Sequence, residues 1–395
     1  MATTTGQVRT DNIAAFRVHT DLHREILELE PNSQALTVFL NNINKGGQRK
    51  RVKTPKFRWP EYELDDRWDA INAVGGYADN ITSWVVDTAD LFYPESLVKV
   101  PRTGEVVRVS AVNTGTNTLT VVRSYGAAAA AAVLDNEPLF IVGNAREEGA
   151  VSLPARSRDP VEVINYTQIF KTWVDESGTS MSSDQDTSPH SWRFNQRVRM
   201  IEHQIDKELA LLTGTPGEEN GVAGKVRTTG GILHFATANI VDAGGTLTEV
   251  EFETWLRGFL HYGDKNMKVV FLSELAASVL NNFAHGKLQT STGATRYGVA
   301  INEWVSAHGT VKFVSHPLLE GATYGGYAIG VDFGGNRVAY RYLHGESAPG
   351  GSRDTHIKES VQEADRDGRK DEILTECGLQ MSQAKTHGVL TGITG

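Results

Sequence analysis

Asp332-Phe333-Gly334 is the string in this chain that most invites a chemical reading, because the aspartate of an Asp-Phe-Gly motif can hold magnesium against a nucleotide. That chemistry also requires a glycine-rich loop over the phosphates, a strand lysine and an HRD loop, and the sequence has none of these. Gly335-Asn336 follows, so the segment reads as a turn between strands. The 12 histidines include no HExxH pair and no other spacing that sets two imidazoles on one face for a metal. His203 sits between Glu202 and Gln204 on a helical stretch and reads as a surface or contact residue. No serine lies in a GxSxG elbow. The carboxylate pairs Glu147-Glu148 and Glu218-Glu219 are adjacent, so in regular structure their side chains diverge. No glycine pattern matches a dinucleotide or Walker loop. The single cysteine, Cys377, excludes a disulfide framework and a cysteine zinc site. The expectation is no catalytic residue, no cofactor and no metal site. An enzyme with an inconspicuous site is the reading from another class.

The elements themselves are more telling. A helix is predicted over 189–212, with Ser188 as its N-cap, Pro189 at its first position and Gly214 as its stop. Phe194, Val198, Ile201, Ile205, Leu209 and Leu212 recur with the helical period and are expected to be buried, while Arg193, Arg197, Glu202, Asp206 and Lys207 take other faces. At about 1.5 Å per residue this is a rod of ~36 Å. Upstream, residues 45–58 carry Lys45, Arg49, Lys50, Arg51, Lys53, Lys56 and Arg58 with no acidic residue, and Glu61, Glu63, Asp65, Asp66 and Asp69 follow at once. A nucleic-acid patch is one reading of the basic run. The acidic run blunts it, and a dipolar hairpin that is solvated or bridges subunits fits better. The contact candidates are Lys45, Arg49, Lys50, Arg51, Lys53, Lys56, Arg58, Trp59, Glu61, Glu63, Asp65 and Asp66.

The 395 residues allow two or three domains, and 39% hydrophobic with 22% charged residues is an ordinary globular composition. A net charge of −9 argues against wrapping nucleic acid with the whole surface. No apolar run is long enough to span a membrane, and the first residues do not form a signal peptide. Residues 1–35 read as an arm in which 20–29 can form a short helix with Leu22, Ile26 and Leu29 on one side. Alternation and turn signals over about 80–145 predict a small barrel or sandwich; Ala127 to Ala132 is a helical turn or a packed loop. Residues 161–175 are strand-like. Residues 216–350 read as α/β: a Thr248–Glu251 capping box, a buried strand at 268–272, a helix capped by Ser273, and strands near 297–305, 310–316, 326–331 and 337–343. Strands at 373–381 and from about 387 close the chain.

Taken in order, several of these segments resemble the major capsid proteins of tailed phages with the Hong Kong 97-like fold. The residues that carry the resemblance are ALTVFLNNINKGGQRKRVKTPKFRWPEYEL at 35–64, the β-rich LVKVPRTGEVVRVSAVNTGTNTLTVVRSYG, NYTQIFKTWVDESGTS leading to RFNQRVRMIEHQIDKELALLTG, RTTGGI at 227–232, and DGRKDEILTECGLQMSQAKTHGVLTGI at the end. The β-rich stretch is similar to an insertion that one branch of the family carries in its extended loop. The resemblance implies an α+β fold with an N-terminal arm (1–35), an extended loop with the insertion (36–160), a peripheral domain on a spine helix (161–215, closed by 351–395) with a long antiparallel sheet, and an axial domain (216–350). It implies homo-oligomeric pentamers and hexamers that close into an icosahedral shell around double-stranded DNA. It further implies a virion location after assembly in the host cytoplasm, with scaffolding, portal and decoration proteins as the classes of further partner. The chain leaves no room before its arm for the cleaved scaffolding segment of some members, so a separate scaffold or none is expected. Loop lysines are present, but no catalytic glutamate for cross-linking can be assigned by motif. A nanocompartment shell of the same fold is the alternative; such subunits are usually shorter and lack the insertion. A carbohydrate-binding or tail-associated protein would leave the long helix and α/β region unexplained.

Overall fold

The computed structural model describes residues 35–42, 49–149, 158–183, 191–283, 295–296, 299–300, 302–306, 308–345 and 351–395. The expected 20–29 helix, Lys45 and the Ser188-Pro189 helix start lie outside the described residues. The chain divides into two compact units, one of residues 1–59 and 162–395, the other Pro60–Val161.

Among the described residues, the first unit contains two larger sheets beside two-stranded pairings. In one, the strand Arg49–Val52 runs parallel to Val338–Leu343, which pairs antiparallel with Arg369–Met381, which pairs antiparallel with Gln168–Glu176. His356–Lys358 adds to the flank of Arg369–Met381. That central strand is buried at nearly every position, so both its faces are covered. The second sheet has the order Ile240–Gly245, Gly388–Ile393, Ala328–Asp332, Lys268–Leu272, Gly309–Ser315, Asn302–Ser306. The sequence reading groups 351–395 together, but its two strands join different sheets. Gln383, with φ 62°, and the 3-10 turn Ala384–Thr386 redirect the chain between them.

The helix Glu249–His261 begins with the expected capping box, Thr248 and Glu251 each bonding the other's backbone. It places Phe252, Trp255, Leu256, Phe259 and Leu260 against this second sheet, and Glu274–Phe283, capped by the Ser273 hydroxyl on Ala276 N (3.1 Å), adds Ala276, Val279 and Leu280. The strand Lys268–Leu272 is buried at all its positions, as its unbroken apolar run predicts.

The long helix is Ser191–Thr213. Gly214 ends it by close approach: a Cβ there would lie 2.4 Å from Ala210 O and 2.5 Å from Thr229 O. The helix corrects the sequence reading in one respect. Its buried residues are Trp192, His203, Lys207, Glu208, Leu211 and Leu212; Phe194, Val198, Ile201 and Ile205 are only half-buried and Leu209 is 37% exposed. The face turned to the sheet is polar along much of its length. A shorter helix, Ala35–Asn42, buries Leu36, Phe39 and Leu40 at helical spacing, with the Phe39 ring 5.8 Å from Phe271 and 6.0 Å from Phe333.

The second unit is a six-stranded sheet in the order Trp68–Ala70, Pro138–Asn144, Ser96–Lys99, Val106–Asn113, Thr118–Val122, Ser83–Val85. Its two edge strands meet. Ile71 bridges Val86, Asn72 N donates to Val85 O (2.9 Å) and Asp87 N to Ala70 O (3.1 Å), so the sheet closes as a small barrel. Ile71, Trp84, Val86, Val107, Val109, Leu119, Val121 and Leu139 fill it. The alanine run is a loop with none of its residues buried, held by arginines: Arg123 reaches Ala131 O (2.6 Å) and Arg102 reaches Ala132 O (2.8 Å).

Candidate assembly surface

The basic and acidic runs do not fold back on each other as a hairpin. Each finds backbone partners elsewhere. Arg49–Val52 is an edge strand on Val338–Leu343, and Lys56–Glu61 pairs with Val161–Tyr166. The reason is visible in the sequence between them, where Thr54-Pro55 has no hairpin-turn chemistry and Phe57 and Trp59 demand an apolar face.

Side chains of the basic run divide by alternation. Phe57 and Trp59 point inward, Trp59 being 5% exposed with its ring 6.0 Å from Phe57 and 5.6 Å from Phe235. Among the contact candidates Trp59 is thus a core residue of its own unit, and Lys56 and Arg58 take the outer face. Arg58 pairs with Glu162 at 2.8 Å, with 74% of its side chain exposed, and Lys56 lies over the Tyr166 ring at 5.9 Å. Arg49 pairs with Asp354 and stacks on Tyr342 at 5.1 Å; Arg51 Nε donates to the Tyr342 hydroxyl at 3.2 Å. Lys50 and Lys53 are exposed and, among the described residues, have no ion-pair partner. The acidic candidates begin in the other unit. There Asp65 pairs with Arg158, Glu63 and Asp66 are exposed, and Glu61 is half-buried. The structure therefore satisfies Arg49, Arg51, Arg58 and Asp65 internally and leaves Lys50 and Lys53 open.

Sequence reasoning missed a set of buried polar joints elsewhere in the chain. Glu208, fully buried on the long helix, accepts from Leu36 N (2.6 Å), Thr37 N (3.0 Å) and the Thr37 hydroxyl, and from His316 Nε2 (3.0 Å). A carboxylate from a distant helix thus caps the amino end of Ala35–Asn42, where the free amides and the helix dipole favour an anion.

His203 is fully buried, not on the surface as its neighbours suggested. Its Nδ1 is 3.0 Å from the Thr172 hydroxyl and its Nε2 2.7 Å from that of Thr375, tying the helix to the strands Gln168–Glu176 and Arg369–Met381. The Thr375 hydroxyl also bonds that of Thr355 (2.8 Å). Burial, with Lys207 nearby, pushes the His203 pKa down to about 4.

Asp332 organises the Asp-Phe-Gly turn. It accepts from Gly334 N (2.8 Å) and Asp264 N (3.0 Å), with Arg337 Nη1 at 3.4 Å and Lys268 Nζ at 3.9 Å. Gly263, at φ +86°, passes so close that a Cβ would sit 2.0 Å from the Asp332 carboxylate. Lys268 is fully buried and donates to Phe259 O (2.5 Å) and Thr386 O (2.7 Å); burial pushes it down to about 8, partly offset by Asp332. His387 accepts from Asp332 N (3.2 Å) and donates to Ser382 O (3.1 Å), and burial pushes it down to about 3. Every group here has a structural partner, which is the geometry of a turn between two sheets.

In the barrel, Arg123 and Glu105 form a bidentate pair (2.8 Å on each arm) over the Trp84 ring, and Arg102 with Glu137 a second (2.7 and 2.8 Å). Burial opposes the charge on Glu105, but the Arg123 bonds and the amides of Ser124 and Ala131 outweigh it and hold its pKa below the usual range. Among the described residues no group of histidines, cysteines and carboxylates could hold a metal ion, and no helix is long and apolar enough to cross a membrane.

Comparison with known proteins agrees with this reading of a structural chain. A sequence model of the SU10 major capsid protein family matches residues 2–394. The major capsid protein of Pseudomonas phage PaMx41 is 27% identical over 326 residues, covering 77% of this chain and 75% of that protein. Among solved structures, a chain from the capsid of a native GTA particle aligns over 98% of both chains at 12% identity with a TM-score of 0.50. A chain of Microbacterium phage Oxtober96 aligns over 95% of this chain and 96% of its own at 10% identity, with a TM-score of 0.43. With its mixed α+β architecture of Hong Kong 97-like type, the chain belongs to the SU10 family of phage major capsid proteins.

Proposed function

We propose that copies of this chain join as pentamers and hexamers, that these close into an icosahedral shell around double-stranded DNA, and that the exposed basic residues after position 45 bridge neighbouring subunits. The observation that carries the contact role is the open positive charge of Lys50 and Lys53 beside cations that are already partnered. A subunit of net charge −9 offers acidic surface for those lysines on a neighbour, and a net negative wall lets packaged DNA slide and leave. In this reading residues 1–35 are the arm and 36–160 the extended loop with its barrel. Residues 161–215 and 351–395 form the peripheral domain, and 216–350 the axial one. Scaffolding, portal and decoration proteins are the further partners, and assembly takes place in the host cytoplasm.

Negative-stain electron microscopy with sedimentation velocity on the purified chain tests the reading. Closed shells, tubes or five- and six-membered rings are expected. A dimer or tetramer that persists in crowding agents and with added scaffold overturns it.

A further inference from the structure

After the long helix, the strands Gly217–Asn220 and Lys225–Thr228 form a hairpin whose tip is Gly221-Val222-Ala223-Gly224. All four tip residues are exposed, and Val222 is fully so. Turn chemistry ordinarily places Asn, Asp or Ser at such a tip, and here no tip side chain is polar. The tip is also held stiff. Gly221 N donates to Gly224 O (2.8 Å), and across the hairpin Glu218 accepts from Arg227 Nε (2.7 Å) and from Lys225 Nζ. The register puts Glu218, Asn220, Lys225 and Arg227 on one face, where two cations share one carboxylate. One exposed valine is ordinary. A stiffened tip without a polar side chain is suited to insertion, because it loses little freedom on entering a partner.

Elsewhere in the same compact unit, Glu274, Leu275, Leu318, Glu320, Ala322 and Ile393 line a cleft of about 560 Å³. Leu275 is 40% exposed there. Both carboxylates are exposed and, among the described residues, have no ion-pair partner. We propose that the Gly221–Gly224 tip of one copy inserts into this cleft on the next copy, with Val222 against Leu275 and Leu318 and with Lys225 beside Glu274 and Glu320. Two observations make the occupant a second copy. The chain's own tip lies outside its own cleft, since Val222 is fully exposed. The charges are complementary: an apolar tip flanked by surplus positive charge meets an apolar cleft flanked by two open carboxylates. Tip and cleft are different surfaces, so the contact is head-to-tail, and repeated with a closing rotation it makes a ring. This contact rests on the shell reading and specifies how neighbours in its rings hold one another.

The test is a full-length double variant, Val222→Cys with Leu275→Cys, assembled and then oxidised gently; the native Cys377 is buried and does not compete. A ladder of bonded oligomers, from dimer to full ring, is expected on non-reducing gels, and neither single variant should give one. Electron microscopy of the same sample and of wild type separates the failures. Rings or shells without the ladder overturn this contact alone, and the absence of rings and shells overturns the shell reading with it. A bond confined to the monomer places the tip in its own chain's cleft and overturns the proposal as well. A second measurement needs no cysteine. Val222→Asp puts a turn-forming residue at the tip, so the subunit should melt as wild type does, and it adds a carboxylate to the cleft. The yield of shells should fall about tenfold, and Glu274→Lys with Glu320→Lys in the same chain should restore it. An unchanged yield from Val222→Asp overturns the proposal independently.

Discussion

Replacing Glu208 by Ala should detach the helix Ala35–Asn42 from the long helix without disturbing either sheet. The wild-type carboxylate serves two backbone amides, a hydroxyl and His316, all in a site with no solvent exposure. Removing an N-terminal cap costs ~1 kcal/mol. Leaving two buried amides, a hydroxyl and an imidazole N–H without their acceptor adds about 1–3 kcal/mol. Together these bring the expected loss to about 3 kcal/mol. Glu208→Gln keeps one oxygen for the amides and should lose about half as much. Urea unfolding of unassembled subunits at pH 7, followed by circular dichroism, reads both values: the midpoint should fall in the order wild type, Gln, Ala with an unchanged slope. Limited proteolysis should show cleavage near residues 35–42 in the Ala variant before the rest of the chain is cut. An Ala variant within about 0.5 kcal/mol of wild type would refute the reasoning, since that is the range of a surface substitution.

Acid should destabilise the subunit well above the carboxylate range. In the unfolded chain His203 and His387 take up protons near pH 6.5; folded, they do so only near about 4 and about 3. The unfolded state therefore binds more protons between those values, and stability falls as the pH drops below 6.5, by about 1.4 kcal/mol per pH unit for each histidine in the window. Melting temperatures from pH 7.5 to 4.5 check this, and a flat profile contradicts it. Arg123→Ala leaves Glu105 buried and unpaired, at about 3–5 kcal/mol, and should open the 124–133 loop to protease; an uncut loop would mean that the pair does not hold it. Lys50→Glu with Lys53→Glu should leave the melting temperature of the subunit unaltered and lower the yield of shells, measured by sedimentation; normal yields would remove these lysines from the contact.

Local chemistry in this chain was legible and partnership was not. The capping box at Thr248, the Ser273 cap, the buried run 268–272 and the Asp-Phe-Gly turn all appear where propensity and pattern put them, because each is decided by residues a few positions apart. His203 and Glu208 escaped because their partners lie 31 to 172 residues away, and a polar residue on a helix rich in charged residues carries no mark of burial. The apolar stripe shows the converse. Periodicity establishes that Ile201 and Ile205 share a face, and it led to the expectation that this face is buried. The face that meets the sheet instead is joined by hydrogen bonds through His203 to Thr172 and Thr375. A helix can present one face to its own sheet through polar joints and leave an apolar one half-exposed, and a hydrophobic period is identical in both cases. Substituting Ile205 by Asp distinguishes them. In a sheet-facing position the cost is several kcal/mol. In the half-exposed position seen here the cost should be about 1 kcal/mol, read as the shift of the urea midpoint.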